Sequence, residues 1–98
     1  MVKLDPTLGS EVRNSRPCVV VSPPEMHDHL RTVIVAPITT GAHDAPFRIP
    51  VSFGGKKGLI LLDQVRSLGK ARLARRLGAV SPATLSATLR TLQETFAQ

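Results

Sequence analysis

The sequence predicts a mainly β fold of the α+β kind: a small antiparallel β-barrel with a short helix and a C-terminal helix. Three observations carry this. Short apolar runs recur through the first two-thirds of the chain, each broken by proline or glycine. The segment Pro46 to Val51 alternates Phe47, Ile49 and Val51 with Arg48 and Pro50, the period of a half-buried strand. Ser81-Pro82 then opens a stretch with Leu85, Leu89, Leu92 and Phe96 at helical spacing.

In chain order, Met1 to Leu4 is a stub of strand stopped by Asp5-Pro6 and followed by a Gly9-Ser10 loop. Pro17 to Ser22 is almost uninterruptedly apolar, which suits a strand buried on both faces and ended by Pro23-Pro24. Glu25 to Leu30 reads as a polar surface loop. Arg31 to Ile38 is the next strand, and Pro37 within it predicts an edge or a bulge. After the alternating segment comes a tight turn at Gly54-Gly55-Lys56-Lys57-Gly58, which Leu59 to Leu62 leaves as another buried strand. Leu73 and Leu77, four apart and ahead of Gly78, predict a short helix with a glycine cap. Ser81 is the expected N-cap of the longer last helix, whose apolar stripe should pack on the barrel or on a partner subunit.

Ninety-eight residues suit one domain, 1–98, with a modest core. A hydrophobic fraction of 42% is too high for a disordered chain. No apolar run nears the roughly 20 residues that span a bilayer, and the N-terminus has no secretory apolar stretch. No membrane association and a cytoplasmic location are therefore expected, and the lone Cys18 cannot build a disulfide framework. Thirteen Lys and Arg against seven Asp and Glu leave a net charge of +6, which favours a polyanionic partner. With three Phe and neither Tyr nor Trp, recognition must rest on charge, hydrogen bonds and shape more than on base stacking.

Several groups could carry chemistry. His27-Asp28-His29 has metal-like spacing but lacks a clear third ligand, so an exposed polar loop is the better reading, and His43-Asp44 has less context still. Cys18 lies inside an apolar strand, where a thiol is an inert small hydrophobe. Arg66, Lys70, Arg72, Arg75 and Arg76 could follow a phosphate backbone or form the solvated face of a helix. Polar groups also gather at strand ends: Glu11, Arg16, Thr39, Thr40, Asp63 and Gln64. Taken one at a time, each of these suits an ordinary turn.

Six ordered segments give those strand ends a meaning. They are Asp5-Pro6-Thr7 with Gly9-Ser10-Glu11, Arg16-Pro17 with Val19-Val20 and Ser22-Pro23, and Ala36-Pro37-Ile38-Thr39-Thr40. Pro46-Phe47 with Ile49, Leu62-Asp63-Gln64-Val65-Arg66-Ser67, and Gly78 with Val80-Ser81-Pro82 and Leu85 complete the set. In this order and spacing they resemble the MazF/PemK toxins, the mRNA interferases of type II toxin–antitoxin systems.

The resemblance implies an SH3-like barrel acting as a homodimer. It implies sequence-specific cleavage of single-stranded RNA without a metal or other cofactor, leaving a 2′,3′-cyclic phosphate and a 5′-hydroxyl. Arg16 and Thr39 fall on the family's catalytic arginine and threonine. Glu11, Thr40, Asp63 and Gln64 fall on positions expected to contact the substrate, and Glu11, Asp63 and Arg16 are each candidates for taking the 2′ proton. An acidic antitoxin protein is the implied partner, its tail competing for the basic groove. Family members carry several more residues before Asp5-Pro6-Thr7, so the first strand is expected to be short, while Ser10 and Leu61 replace a histidine and an arginine that some members use. Two other functions fit the same bulk properties: a non-enzymatic toxin similar to the gyrase poison CcdB, and a basic RNA-binding module that does not cleave.

Overall fold

The computed structural model describes residues 7–11 and 16–97, giving the backbone course alone for 7–11 and 74–76. The predicted strand at Met1 to Leu4 lies outside the described residues. Seven strands and two helices follow one another: β1 Thr7–Glu11, β2 Pro17–Val20, α1 Pro24–His29, β3 Thr32–Thr39, β4 Arg48–Phe53, β5 Lys56–Leu61, β6 Arg66–Gly69, β7 Leu73–Ala79 and α2 Pro82–Phe96. The strands form one curled antiparallel sheet in the order β4-β5-β3-β2-β1-β7, with β6 also paired to β3. The mainly β prediction with a C-terminal helix therefore holds.

Burial on both faces of the central strands explains the apolar runs. Val19, Ala36, Ile38, Ile49, Val51, Ile60, Leu62 and Val80 make the larger core, against which Leu85 and Leu92 of α2 pack. The alternate residues Cys18, Val20, Val33 and Val35 join Leu68 in a second cluster on the other face. Successive strand side chains point to opposite faces, so a strand feeding two cores must be apolar at every position.

Pro37 lies in a central strand, so the expected edge is not found, and its β2 register runs past it without a shift. The Val21 N–H donates to the Ile34 carbonyl at 2.8 Å, and bonded pairs recur at every second step of the β2–β3 ladder. Cys18 and Pro37 thus form a non-hydrogen-bonded pair, which turns the nitrogen of Pro37 toward the opposite neighbour. On that side β3 changes partners: Ile38 faces Ile60 of β5, whereas Val35 faces Arg66 of β6. Between them Leu62–Gln64 leaves the ladder as a turn of 3₁₀ helix. The missing proline donor falls where no partner strand asks for it.

Three other readings change. Gly9 and Ser10 are inside β1 rather than in a loop. Glu25 to Leu30 is mostly α1, because Pro24 suits the first helical turn and the Leu30 N–H closes on the Met26 carbonyl at 2.9 Å. The predicted short helix at Leu73 and Leu77 is instead β7, paired to β1 and preceded by a single 3₁₀ turn at Lys70–Arg72. Gly78 has φ 142°, incompatible with a helical cap there. Of the stripe on α2, Leu85 and Leu92 meet the core as expected, while Leu89 and Phe96 lie outside it, 40% and 67% exposed on the single chain. Ser81 caps α2 as expected, its Oγ accepting from the Thr84 N–H at 3.2 Å.

Candidate active site

Arg16 and Thr39, far apart in sequence, become neighbours through the β2–β3 ladder. The register pairs Cys18 with Pro37, and its continuation sets Arg16 opposite Thr39. In a ladder continued at this register that would again be a non-hydrogen-bonded position, where opposed Cα atoms lie only about 4.5 Å apart. The β1–β2 register pairs Ser10 with Pro17, and one further step sets the Glu11 backbone beside Arg16. Thr39 in turn pairs with Leu59, and Leu59 with Pro50. Continued in this way, the registers bring Glu11 of β1, Arg16 just before β2 and Thr39 of β3 into a row at one end of the sheet.

Strand alternation fixes the face on which this row acts. Arg16 is in phase with Cys18 and Val20, and Thr39 with Val33 and Val35, so both belong to the face bearing the second cluster. That cluster ends one step before the row, and there the surface opens: Arg16 is exposed and Thr39 half-buried. The Thr39 Oγ1 accepts from the Gly41 N–H at 3.3 Å, which fixes the hydroxyl and leaves its own proton for an incoming acceptor. Thr40 is exposed just beyond.

Asp63 and Gln64 sit in the 3₁₀ turn that interrupts the ladder, both exposed. Asp63 is engaged by Arg48, Nε to Oδ1 at 3.4 Å and Nη2 to Oδ2 at 3.5 Å. Gly58 adjoins Thr39 in a way that residue type alone does not reveal. A Cβ on it would lie 2.9 Å from the Thr39 carbonyl oxygen, so glycine is what lets β5 approach β3 beside the threonine. Only the strand register shows that; in the sequence Gly58 reads as the end of a turn.

The remaining candidates take structural places. His27 is on α1 and its Nε2 lies 2.9 Å from the Ser22 Oγ, which also accepts from the Ile34 N–H. Lys70 donates to the His27 carbonyl, tying α1 to the turn before β7. Cys18 is buried, as expected. Among the described residues no three His, Cys, Asp or Glu groups come together as metal ligands. No described helix is long and apolar enough to cross a membrane. Arg66 and Arg72 are exposed on strand and turn rather than along a helix. A cleft between β4 and the start of α2 is lined by Pro50, Ser52, Lys57 and Thr84, and neither Arg16 nor Thr39 borders it.

Known proteins share both sequence and architecture. The chain is 38% identical over 85 residues to the endoribonuclease toxin MazF of Escherichia coli K12, covering 86% of this chain and 77% of that one. It is 33% identical to the endoribonuclease PemK of Escherichia coli, covering 91% and 71%. A MazE–MazF crystal structure from Deinococcus radiodurans superimposes with a TM-score of 0.83 at 24% identity, over all of this chain and 99% of that one. A mycobacterial endoribonuclease solved with its cognate antitoxin gives 0.80 at 21% identity, over 100% and 98%. The family described as the PemK-like, MazF-like toxins of type II toxin–antitoxin systems matches residues 1–96, and this chain belongs to it.

Proposed function

We propose that this chain is a sequence-specific endoribonuclease toxin whose cleavage centre is the row of Glu11, Arg16 and Thr39. The reading is supported by the β2–β3 register, which continued past Cys18 and Pro37 leads to an exposed Arg16 and a half-buried Thr39 at one open end of the sheet face. Single-stranded RNA brings its own nucleophile, the 2′-OH next to each phosphate. Attack of that oxygen on phosphorus forms the 2′,3′-cyclic phosphate and expels the 5′ oxygen of the next nucleotide, which leaves as a hydroxyl after protonation. The Arg16 guanidinium supplies paired N–H donors and a fixed charge to the phosphorane-like transition state. The Thr39 hydroxyl donates to a non-bridging oxygen, and preorganised donors of this kind are worth roughly 3 kcal/mol each.

Glu11, in register with Arg16, takes the proton of the 2′-OH in this reading. Asp63 is less suited to that task because Arg48 already engages it. Thr40, Asp63 and Gln64 extend the substrate surface around the row. The chemistry calls for no metal, since the guanidinium supplies the positive charge at phosphorus. The working form is a homodimer in the cytoplasm, where messenger RNA is the substrate. Its partner is an acidic antitoxin whose tail competes for the same basic surface, consistent with the net charge of +6.

Purified protein should cut single-stranded RNA in the presence of EDTA and leave cyclic phosphate ends, while Arg16→Ala should stay folded and cut at least about a hundredfold more slowly. RNA binding without products would point to a non-cleaving module. Undiminished cutting by Arg16→Ala would remove the assigned centre.

A further inference from the structure

We infer that Arg48 is a second phosphate-binding residue on the RNA path, distinct from the row that performs cleavage; this rests on the endoribonuclease reading. Ile49 and Val51 point into the main core, so Arg48 and Pro50 take the opposite phase of β4. Pro50 faces Leu59, and Leu59 faces Thr39, which sets Arg48 on the same side of the sheet as the catalytic row. Two strands across and two residues along place it roughly 12 Å from Thr39 by ladder spacing. It is too far to touch the phosphate held at Arg16 and close enough to meet another part of the same strand of RNA.

The guanidinium is ordered yet incompletely used. Its Nε and Nη2 donate to the Asp63 carboxylate, and Nη1 donates to the His43 carbonyl at 3.0 Å. Of the five N–H donors of an arginine, three are thereby engaged and two remain, one on each terminal nitrogen. The guanidinium carbon also lies 5.7 Å from the centroid of the Phe47 ring, which is itself 40% exposed. The bonds to Asp63, at 3.4 and 3.5 Å, are long, and the two side chains are 21% and 31% exposed. A pair of that kind contributes little to stability. What it does achieve is to hold the guanidinium between the Asp63 carboxylate and the His43 carbonyl, which lowers the ordering cost of taking a phosphate.

The test uses full-length protein carrying Thr39→Ala to prevent cleavage, with a fluorescein-labelled single-stranded RNA titrated at several salt concentrations. Adding Arg48→Gln should weaken binding about tenfold at low salt and reduce the slope of log K against log salt by about 0.7, the value for one lost contact to a single strand. Arg48→Lys keeps the charge and should keep the slope. As a measurement that does not depend on how Arg48→Gln folds, the Arg48 Nε–H resonance of the Thr39→Ala protein should shift on addition of RNA. An unchanged slope in Arg48→Gln, or an Nε–H signal indifferent to RNA, overturns the assignment of Arg48 alone. Failure of the Thr39→Ala protein itself to bind RNA in a salt-dependent way overturns the endoribonuclease reading and this inference with it.

Discussion

Cys18 and Pro37 face each other across β2 and β3 as a non-hydrogen-bonded pair, and the same register carried two residues further leads to the pair Arg16 and Thr39. The first pair is packed into the sheet and the second stands where the sheet opens to solvent. Side chains at these positions approach more closely than at bonded ones. In the proposed centre one phosphate is then within reach of both.

From this pairing, Arg16→Ala should lower kcat/KM for RNA cleavage by about 10²- to 10³-fold, and Thr39→Ala by a similar factor. Thr39→Ser keeps the hydroxyl and should retain most activity. Because both groups serve one phosphate, the double variant should lose much less than the product of the single losses. Initial rates on an end-labelled RNA, with circular dichroism to verify folding, check all three. Full additivity would mean that the two residues act at separate places.

How much of this was legible beforehand depended on the range of the interaction. Ser81-Pro82 announced a helix start because capping is local, and Gly54-Gly55, with φ 53° and 78°, announced a hairpin turn for the same reason. Leu73 and Leu77 misled because a spacing of four also satisfies a strand's period of two, and pairing with β1 decided between them. Arg16 and Thr39 are recognisable only through the order of family segments; what brings them to one end of the sheet is register. Arg48 and Gly58 carried no local mark, since their roles depend on which strand lies beside them.

Thr88 should yield a stabilising substitution. It is fully buried on α2, and among the described residues its Oγ1 has no hydrogen-bond partner. An unsatisfied buried hydroxyl costs on the order of 1–3 kcal/mol, and valine replaces it with a methyl group of the same shape at similar helix propensity. Thr88→Val should therefore raise stability by about 1 kcal/mol, shifting Tm upward by roughly 4–8 °C in a domain of this size. A thermal melt showing a lower Tm would mean that the hydroxyl has a partner in solution.

Ser81→Ala should act in the opposite direction. Its Oγ satisfies the Thr84 N–H at the first turn of α2, so removal should cost about 1 kcal/mol and lower the urea midpoint. Ser81→Gly should lose only a few tenths, because glycine is also tolerated as an N-cap. RNA cleavage by either variant, assayed well below its melting temperature, should be unaffected, since neither touches the row on β1 to β3.

Gly58→Ala should separate position from composition at the candidate centre. The added Cβ would lie 2.9 Å from the Thr39 carbonyl oxygen and 3.1 Å from the Ile38 Cγ2. Backbone on one side and a core side chain on the other leave it no free direction, so β5 must move away from β3 at the level of Thr39. Overpacking of this kind costs roughly 1–3 kcal/mol. The larger effect should be catalytic, because misplacing a reacting group by about 1 Å can cost 10²-fold even when every functional side chain is present. Gly69→Ala is the control: its Cβ would meet only the Arg72 Cγ, at an ordinary 4.0 Å, and should leave both stability and rate nearly unchanged. If Gly58→Ala cuts RNA at the normal rate while folded, Thr39 does not need its present position, and its assignment as a catalytic donor fails.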